Sequence, residues 1–148
     1  MTEAVHVPIR EAWITPPTPP PTDEERAAVE ACVRDYFEGW FEGDPIRMER
    51  ALHPELAKRC YGQTVDRAPV LITDTAEGMI EATRAGSGRI RAGGRPMQIE
   101  VVDAGRGIAT VVVRSEHYHE YLHLVQTPEG WRIVNALWRW ADGHGPRA

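Results

Sequence analysis

Cysteine is scarce in this chain: Cys32 and Cys60 are the only two in 148 residues, and they form no C-x-x-C pair. Neither a redox dithiol nor a zinc knuckle is suggested, and both read as small, reduced core residues. Positive charge is short as well. Seventeen Lys and Arg against 22 Asp and Glu leave a net charge of −5, so the clustered cations that neutralise phosphate are missing, and neither nucleic acid nor an anionic membrane surface is an expected partner. No apolar run is long enough to span a bilayer. The first residues carry Glu3, Arg10 and Glu11 without a continuous apolar stretch, so no secretory signal is read and a soluble cytoplasmic protein is expected. There is no internal repeat and no heptad run, and the length fits one domain with one core.

Proline, by contrast, is concentrated. The run "ITPPTPPP" removes backbone donors and holds the chain extended, so residues 1–21 read as an arm. Val5, Val7, Ile9, Trp13 and Ile14 make that arm apolar enough to dock on its own domain or on a partner, while a mobile tail is the alternative. The domain proper is expected over 22–141, followed by a tail over 142–148.

Thr22-Asp23-Glu24-Glu25 matches a capping box, so a helix starts there. Val29, Val33, Tyr36, Phe37 and Trp40 give it one apolar stripe, and Gly43 closes it. Asp44-Pro45 opens a second, shorter helix that His53-Pro54 ends. "ELAKRCYGQTVDRAPVLI" predicts a short strand near Cys60 and Tyr61 and then a loop. Thr73-Asp74-Thr75 offers a cap for a third helix with Ala76, Met79, Ile80 and Thr83 on one face, broken by the glycines of "RAGSGRIRAGGR". That glycine run holds Arg84, Arg89, Arg91 and Arg95 but lacks G-K-[ST] and the third glycine of a dinucleotide fingerprint, so it reads as a solvated loop. Four strands then form a meander: "MQIEVVDAG", "IATVVVRSE", "HEYLHLVQT" and "WRIVNALWRW". Helices first and strands afterwards is an α+β pattern, with the helices covering one face of an antiparallel sheet.

"DYFEGWFEGDPIRMERALHPEL", "ATVVV" and "EYLHLVQTPEGWRIVNALW" together resemble the putative lumazine-binding branch of the NTF2-like superfamily, over roughly Thr22 to Trp140. The resemblance implies an NTF2-like cone in which three N-terminal helices pack on a strongly bent antiparallel sheet. It further implies a pocket at the open end and a homodimer formed through the sheet. The superfamily's roles run from isomerases, dehydratases, cyclases and epoxide hydrolases to proteins without catalysis, so fold alone does not select a reaction.

Alternation along "HYHEYLHL" sends Tyr118, Glu120, Leu122 and Leu124 to one face and His117, His119, Tyr121 and His123 to the other. The leucines place the first set against the helices. The same reasoning turns Ala109, Val111 and Val113 inward, then Trp131, Ile133 and Asn135, and leaves Trp138 and Trp140 outward as a dimer contact or a seat for the Trp13 arm. Glu120 and Asn135 are then the polar members of an apolar inner surface. A carboxylate in a dry cavity has its charged form disfavoured, which suits proton transfer at cellular pH; a structural anchor is the alternative. His53, at the end of the second helix and, as the resemblance implies, near the cone, is the second catalytic candidate; a capping, half-exposed histidine is the alternative. Tyr36, Trp40, Tyr61 and Tyr118 are the expected ligand-binding walls, and Asn135 could hold a carbonyl or ring amide. His117 and His119, with Cα atoms ~6.8 Å apart, could chelate an ion, but a third ligand would have to come from elsewhere. No metal and no cofactor is expected. The sequence therefore leaves two readings: an acid-base enzyme of isomerase, lyase or cyclase type acting on a small apolar or aromatic substrate, or a non-catalytic binding or assembly module.

Overall fold

A computed structural model describes residues 19–89 and 97–145. The apolar arm positions from Val5 to Ile14, the loop arginines Arg91 and Arg95, and the last three residues of the tail lie outside the described residues. Three helices pack on a six-stranded mixed sheet. The chain runs α1 (Asp23–Glu42), α2 (Pro45–Ala51), β1 (Leu52–Gln63), β2 (Pro69–Asp74), α3 (Ala76–Arg84), β3 (Gln98–Gly105), β4 (Ile108–Arg114), β5 (Tyr118–Thr127) and β6 (Gly130–Trp140).

Local chemistry sets the helix ends. Glu25 N donates to Thr22 Oγ1 at 3.0 Å while Thr22 N donates to Glu25 Oε1 at 3.2 Å, closing the capping box reciprocally. Gly43 takes φ +69°, the left-handed stop that a side chain would resist. Asp44 then caps α2 by accepting from Ile46 N and Arg47 N, with Pro45 at the first helical position. Thr75 caps α3 through Gly78 N.

Three expectations are corrected here. The third helix follows two strands rather than preceding the sheet, because β1 begins directly after α2 and hairpins into β2. The stretch read as a short strand and loop is that hairpin, in which Tyr61 pairs with Leu71 and Lys58 with Asp74. The sheet is also mixed. Its order is β2-β1-β6-β5-β4-β3, and β1 runs parallel to β6 while every other neighbour is antiparallel. The crossing from β1 through α3 and the meander returns β6 alongside β1, so the first and last strands are neighbours inside the sheet.

The core lies between the helices and the inner sheet face. Val29, Val33, Phe37 and Phe41 on α1 are fully buried with Met48, Val111, Val113, Leu122, Leu124 and Ile133. Burying such side chains contributes on the order of 1.5–3 kcal/mol each before entropy is counted. Cys32 and Cys60 are free thiols, both buried; burial pushes Cys32 up to about 12 and raises Cys60, which keeps both protonated. No helix among the described residues is long and apolar enough to cross a membrane.

Candidate functional site

The inner face of β5 carries Tyr118, Glu120, Leu122 and Leu124, all buried. Glu120 is 3 % exposed, and its environment comes from two other elements. α1 presents Tyr36 toward it, and the phenol donates to Glu120 Oε1 at 3.0 Å. β1 presents Lys58, whose Nζ donates to the Tyr36 hydroxyl and lies 3.7 Å from the same carboxylate oxygen. Strands β1 and β5 both flank β6, so their backbones are separated by ~10 Å. Only a long side chain spans that gap. Ala136 stands between them, pairing with Lys58 on one side and Leu122 on the other.

This Lys58–Tyr36–Glu120 chain is a buried ion pair with a phenol inserted, at relative exposures of 6, 2 and 3 %. Burial drives the Tyr36 hydroxyl well above its ordinary value, and the neighbouring Glu120 charge adds to the effect. The phenol is held as a neutral donor to the carboxylate. Lys58 Nζ also stands 5.3 Å from the Trp138 ring centroid, close enough for a cation–π attraction.

The three groups open on a cavity of about 180 Å³ lined by Phe37, Trp40, Tyr118, Trp138 and Trp140 among others. A dry apolar cavity of ~150 Å³ accommodates a benzene ring, so this one has the scale of a small ring system. Ile72, Thr73 and Asp74 of β2 form the exposed lip. The aromatic wall is held internally. Trp40 Nε1 donates to the Tyr118 hydroxyl at 3.1 Å, and the Tyr118, Trp138 and Trp140 rings meet one another at 5.2–5.6 Å between centroids. Gly88 lies so close to Trp40 that a Cβ there would fall 2.3 Å from its carbonyl oxygen and 2.7 Å from its indole. Part of the glycine run read as solvated loop thus packs directly behind the wall, and Arg89 Nε ties it to Glu42 O.

Among the predicted positions, Tyr36, Trp40, Tyr118 and Glu120 come together here. Asn135, Tyr61 and His53 do not. Asn135 faces the outer surface, where its Nδ2 meets His123 Nδ1 at 3.3 Å. The cause is a β-bulge: His123 pairs with Asn135 but Leu124 pairs with Ile133, so Val134 is the extra residue and the side-chain phase reverses. The same reversal turns Trp138 and Trp140 inward, against the expectation that they face outward. Tyr61 is 53 % exposed on the outer face, because Lys58 and Cys60 occupy the inner phase of β1. His53 is buried but lines a separate hollow with Leu52, Ala76, Ile80 and Arg132, its Nδ1 accepting from Glu55 N. Lys58 is the participant that sequence reasoning missed. Its alternation with Leu56 and Cys60 was the available signal, since all three share one strand phase.

On the outer face, His119 is held below its ordinary value by partial desolvation and by the nearby Arg114 and Arg139 cations. His117 and His119 do not converge, since His119 Nδ1 lies beside Arg139 while His117 turns toward the C-terminal segment.

An NTF2-like protein of unknown function from Silicibacter pomeroyi aligns over 80 % of this chain and 97 % of its own, at 19 % identity and a TM-score of 0.64. One from Shewanella baltica aligns over 81 % and 96 %, at 13 % identity and 0.62. A ketosteroid isomerase-like protein from Erwinia carotovora atroseptica aligns over 82 % and 99 %, at 15 % identity and 0.53. At these identities the likeness establishes the fold. No curated protein matches the chain. The family model described as putative lumazine-binding matches residues 24–139, which include every residue of the Lys58–Tyr36–Glu120 chain. With that match over most of its length and an NTF2-like fold around it, this protein belongs to the putative lumazine-binding family.

Proposed function

We propose that the cavity binds a small, mostly apolar, ring-bearing molecule and that Glu120 exchanges a proton with it, in a reaction of isomerase, lyase or cyclase type. The observation that carries this reading is the buried chain from Lys58 through Tyr36 to Glu120 at the cavity wall. Both contacts to the carboxylate use Oε1, leaving Oε2 free of them. In this scheme Glu120 accepts a proton from a carbon acid or hydroxyl of the ligand and returns it at a second position. Tyr36 fixes the carboxylate and Lys58 balances its charge, so the site stays neutral while it is dry. Trp40, Tyr118, Trp138 and Trp140 sandwich the ring.

Lumazine serves as the binding probe, because Trp40, Trp138 and Trp140 report on the cavity by fluorescence. Saturable quenching at one molecule per chain, weakened more than about tenfold in Trp138→Ala, is expected. Equal binding to that variant would place the ligand elsewhere. For the proton step, β-tetralone in D2O should exchange its α-hydrogens in the presence of the protein and not with Glu120→Gln. Binding with no exchange by either form would favour the non-catalytic reading.

A homodimer fits either reading, and the outer sheet face supports it. Tyr61, Leu71, Tyr121 and Leu137 are 53, 53, 49 and 47 % exposed on the outer sheet face and border one shallow hollow there. Such a patch fits a second copy of the chain, giving a homodimer through the sheet. Light scattering should then report twice the chain mass, and Leu137→Glu should halve it.

A further inference from the structure

The geometry points to a second site, unrelated to the cavity reading: Glu116, His117 and His144 form a binding site for a zinc-like divalent cation. The three offer one ligand atom each, all within 4.8 Å of one another. The two imidazoles face each other through Nδ1, 3.2 Å apart. At Zn–N distances of 2.0–2.1 Å, the edge of a tetrahedral coordination shell is about 3.3 Å, so the pair already has the spacing of two ligands on one ion. A carboxylate completes a His2Glu set, the combination that leaves a fourth position for water. Both imidazoles are half-buried while Glu116 is exposed, so the site is reached from its carboxylate side.

Backbone structure holds the histidines in place. Ala141 N donates to His117 O at 2.8 Å and His144 N to Ala141 O at 3.0 Å, so the C-terminal segment folds back over the β4–β5 turn. Gly143, at φ +81°, permits that reversal. His144 thus gives His117 the imidazole partner that His119 does not provide. An ion there would clamp the end of the chain to the turn that carries Tyr118, whose ring meets His117 edge-on at 6.1 Å.

Full-length protein stripped with chelator and titrated with Zn2+ by calorimetry should take up one ion per chain at micromolar affinity or tighter. Co2+ in its place should give the visible absorption of a four-coordinate nitrogen-oxygen site. His144→Ala should weaken uptake more than about tenfold, since even outer-shell changes around a metal cost 10–100-fold. Glu116→Gln should weaken it less, and His123→Ala, altered on the outer sheet face, should leave it unchanged. Far-ultraviolet circular dichroism of each variant checks that the fold persists. The proposal is overturned if no uptake occurs, or if His144→Ala binds as tightly as the unaltered chain.

Discussion

Asp35 and Tyr36 are adjacent on α1, yet they anchor two charge clusters that obey different physics. Asp35 meets Arg47 and Arg50 on the outside of the helix pair, at 3.0 and 2.9 Å, with Glu38 also bound to Arg47. Tyr36 turns the other way and joins Lys58 to Glu120 in the interior. The outer cluster has more ion pairs, but Arg50 is 54 % exposed and water competes for each of them. The inner cluster has a single pair, with both side chains buried at the cavity wall. Removing a partner there strands a charge, whereas removing one outside lets solvent take its place.

Breaking the inner cluster should have the largest effect. Lys58→Met leaves the Glu120 carboxylate buried without a counter-charge and is expected to cost about 3–5 kcal/mol in urea unfolding. Replacing both, as Lys58→Met with Glu120→Leu, should recover most of that loss, because a buried pair exchanged for well-packed apolar groups is often neutral. A single-variant cost below about 1 kcal/mol would mean that the interior pair behaves like a surface one.

Tyr36→Phe sharpens the contrast at an intermediate scale. The phenol links the two charges, and its loss should cost about 1–3 kcal/mol. Its pH signature follows from the direction of its shift. The folded phenol keeps its proton after the unfolded one, with an ordinary value of 10.0, has lost it. The associated stability is present below that pH and is lost as pH rises above it. Tyr36→Phe should therefore flatten the alkaline limb of the stability curve and remove one late-titrating phenol from the ultraviolet titration.

The smallest effect is expected outside. Arg50→Ala should cost at most about 1 kcal/mol, less in high salt. The Arg50 guanidinium, with help from Arg47, holds Asp35 below its ordinary 3.8 against the opposing effect of burial. Since the folded carboxylate releases its proton more readily than the unfolded one, that stability is present above pH ~4 and lost as pH falls further. Arg50→Ala should make the acid limb shallower while leaving the alkaline limb unchanged.

Much of the architecture was legible because it depends on short-range rules. The caps at Thr22, Asp44 and Thr75 and the stop at Gly43 each need only a few neighbouring residues. The phase of β5 was equally readable, since its leucines admit one buried face. β6 was misread past Ile133. Trp131 and Ile133 demand one phase, while Trp138 and Trp140 around the charged Arg139 demand the opposite one. Both cannot hold without an extra residue between them. That conflict was the visible sign of the Val134 bulge, and missing it sent Asn135 inward and two tryptophans outward.

Sequence by itself determined the helix boundaries, the inward glutamate and the α+β class, because capping, turn geometry and alternation act over a handful of residues. Tertiary structure alone decided which distant groups would share the interior. The parallel pairing of β1 with β6 carries Lys58 to within reach of Glu120, sixty-two positions away, and the bulge walls them in with indole rings. No local pattern encodes a contact made across an intervening strand, since it exists only once the register of the whole sheet is set.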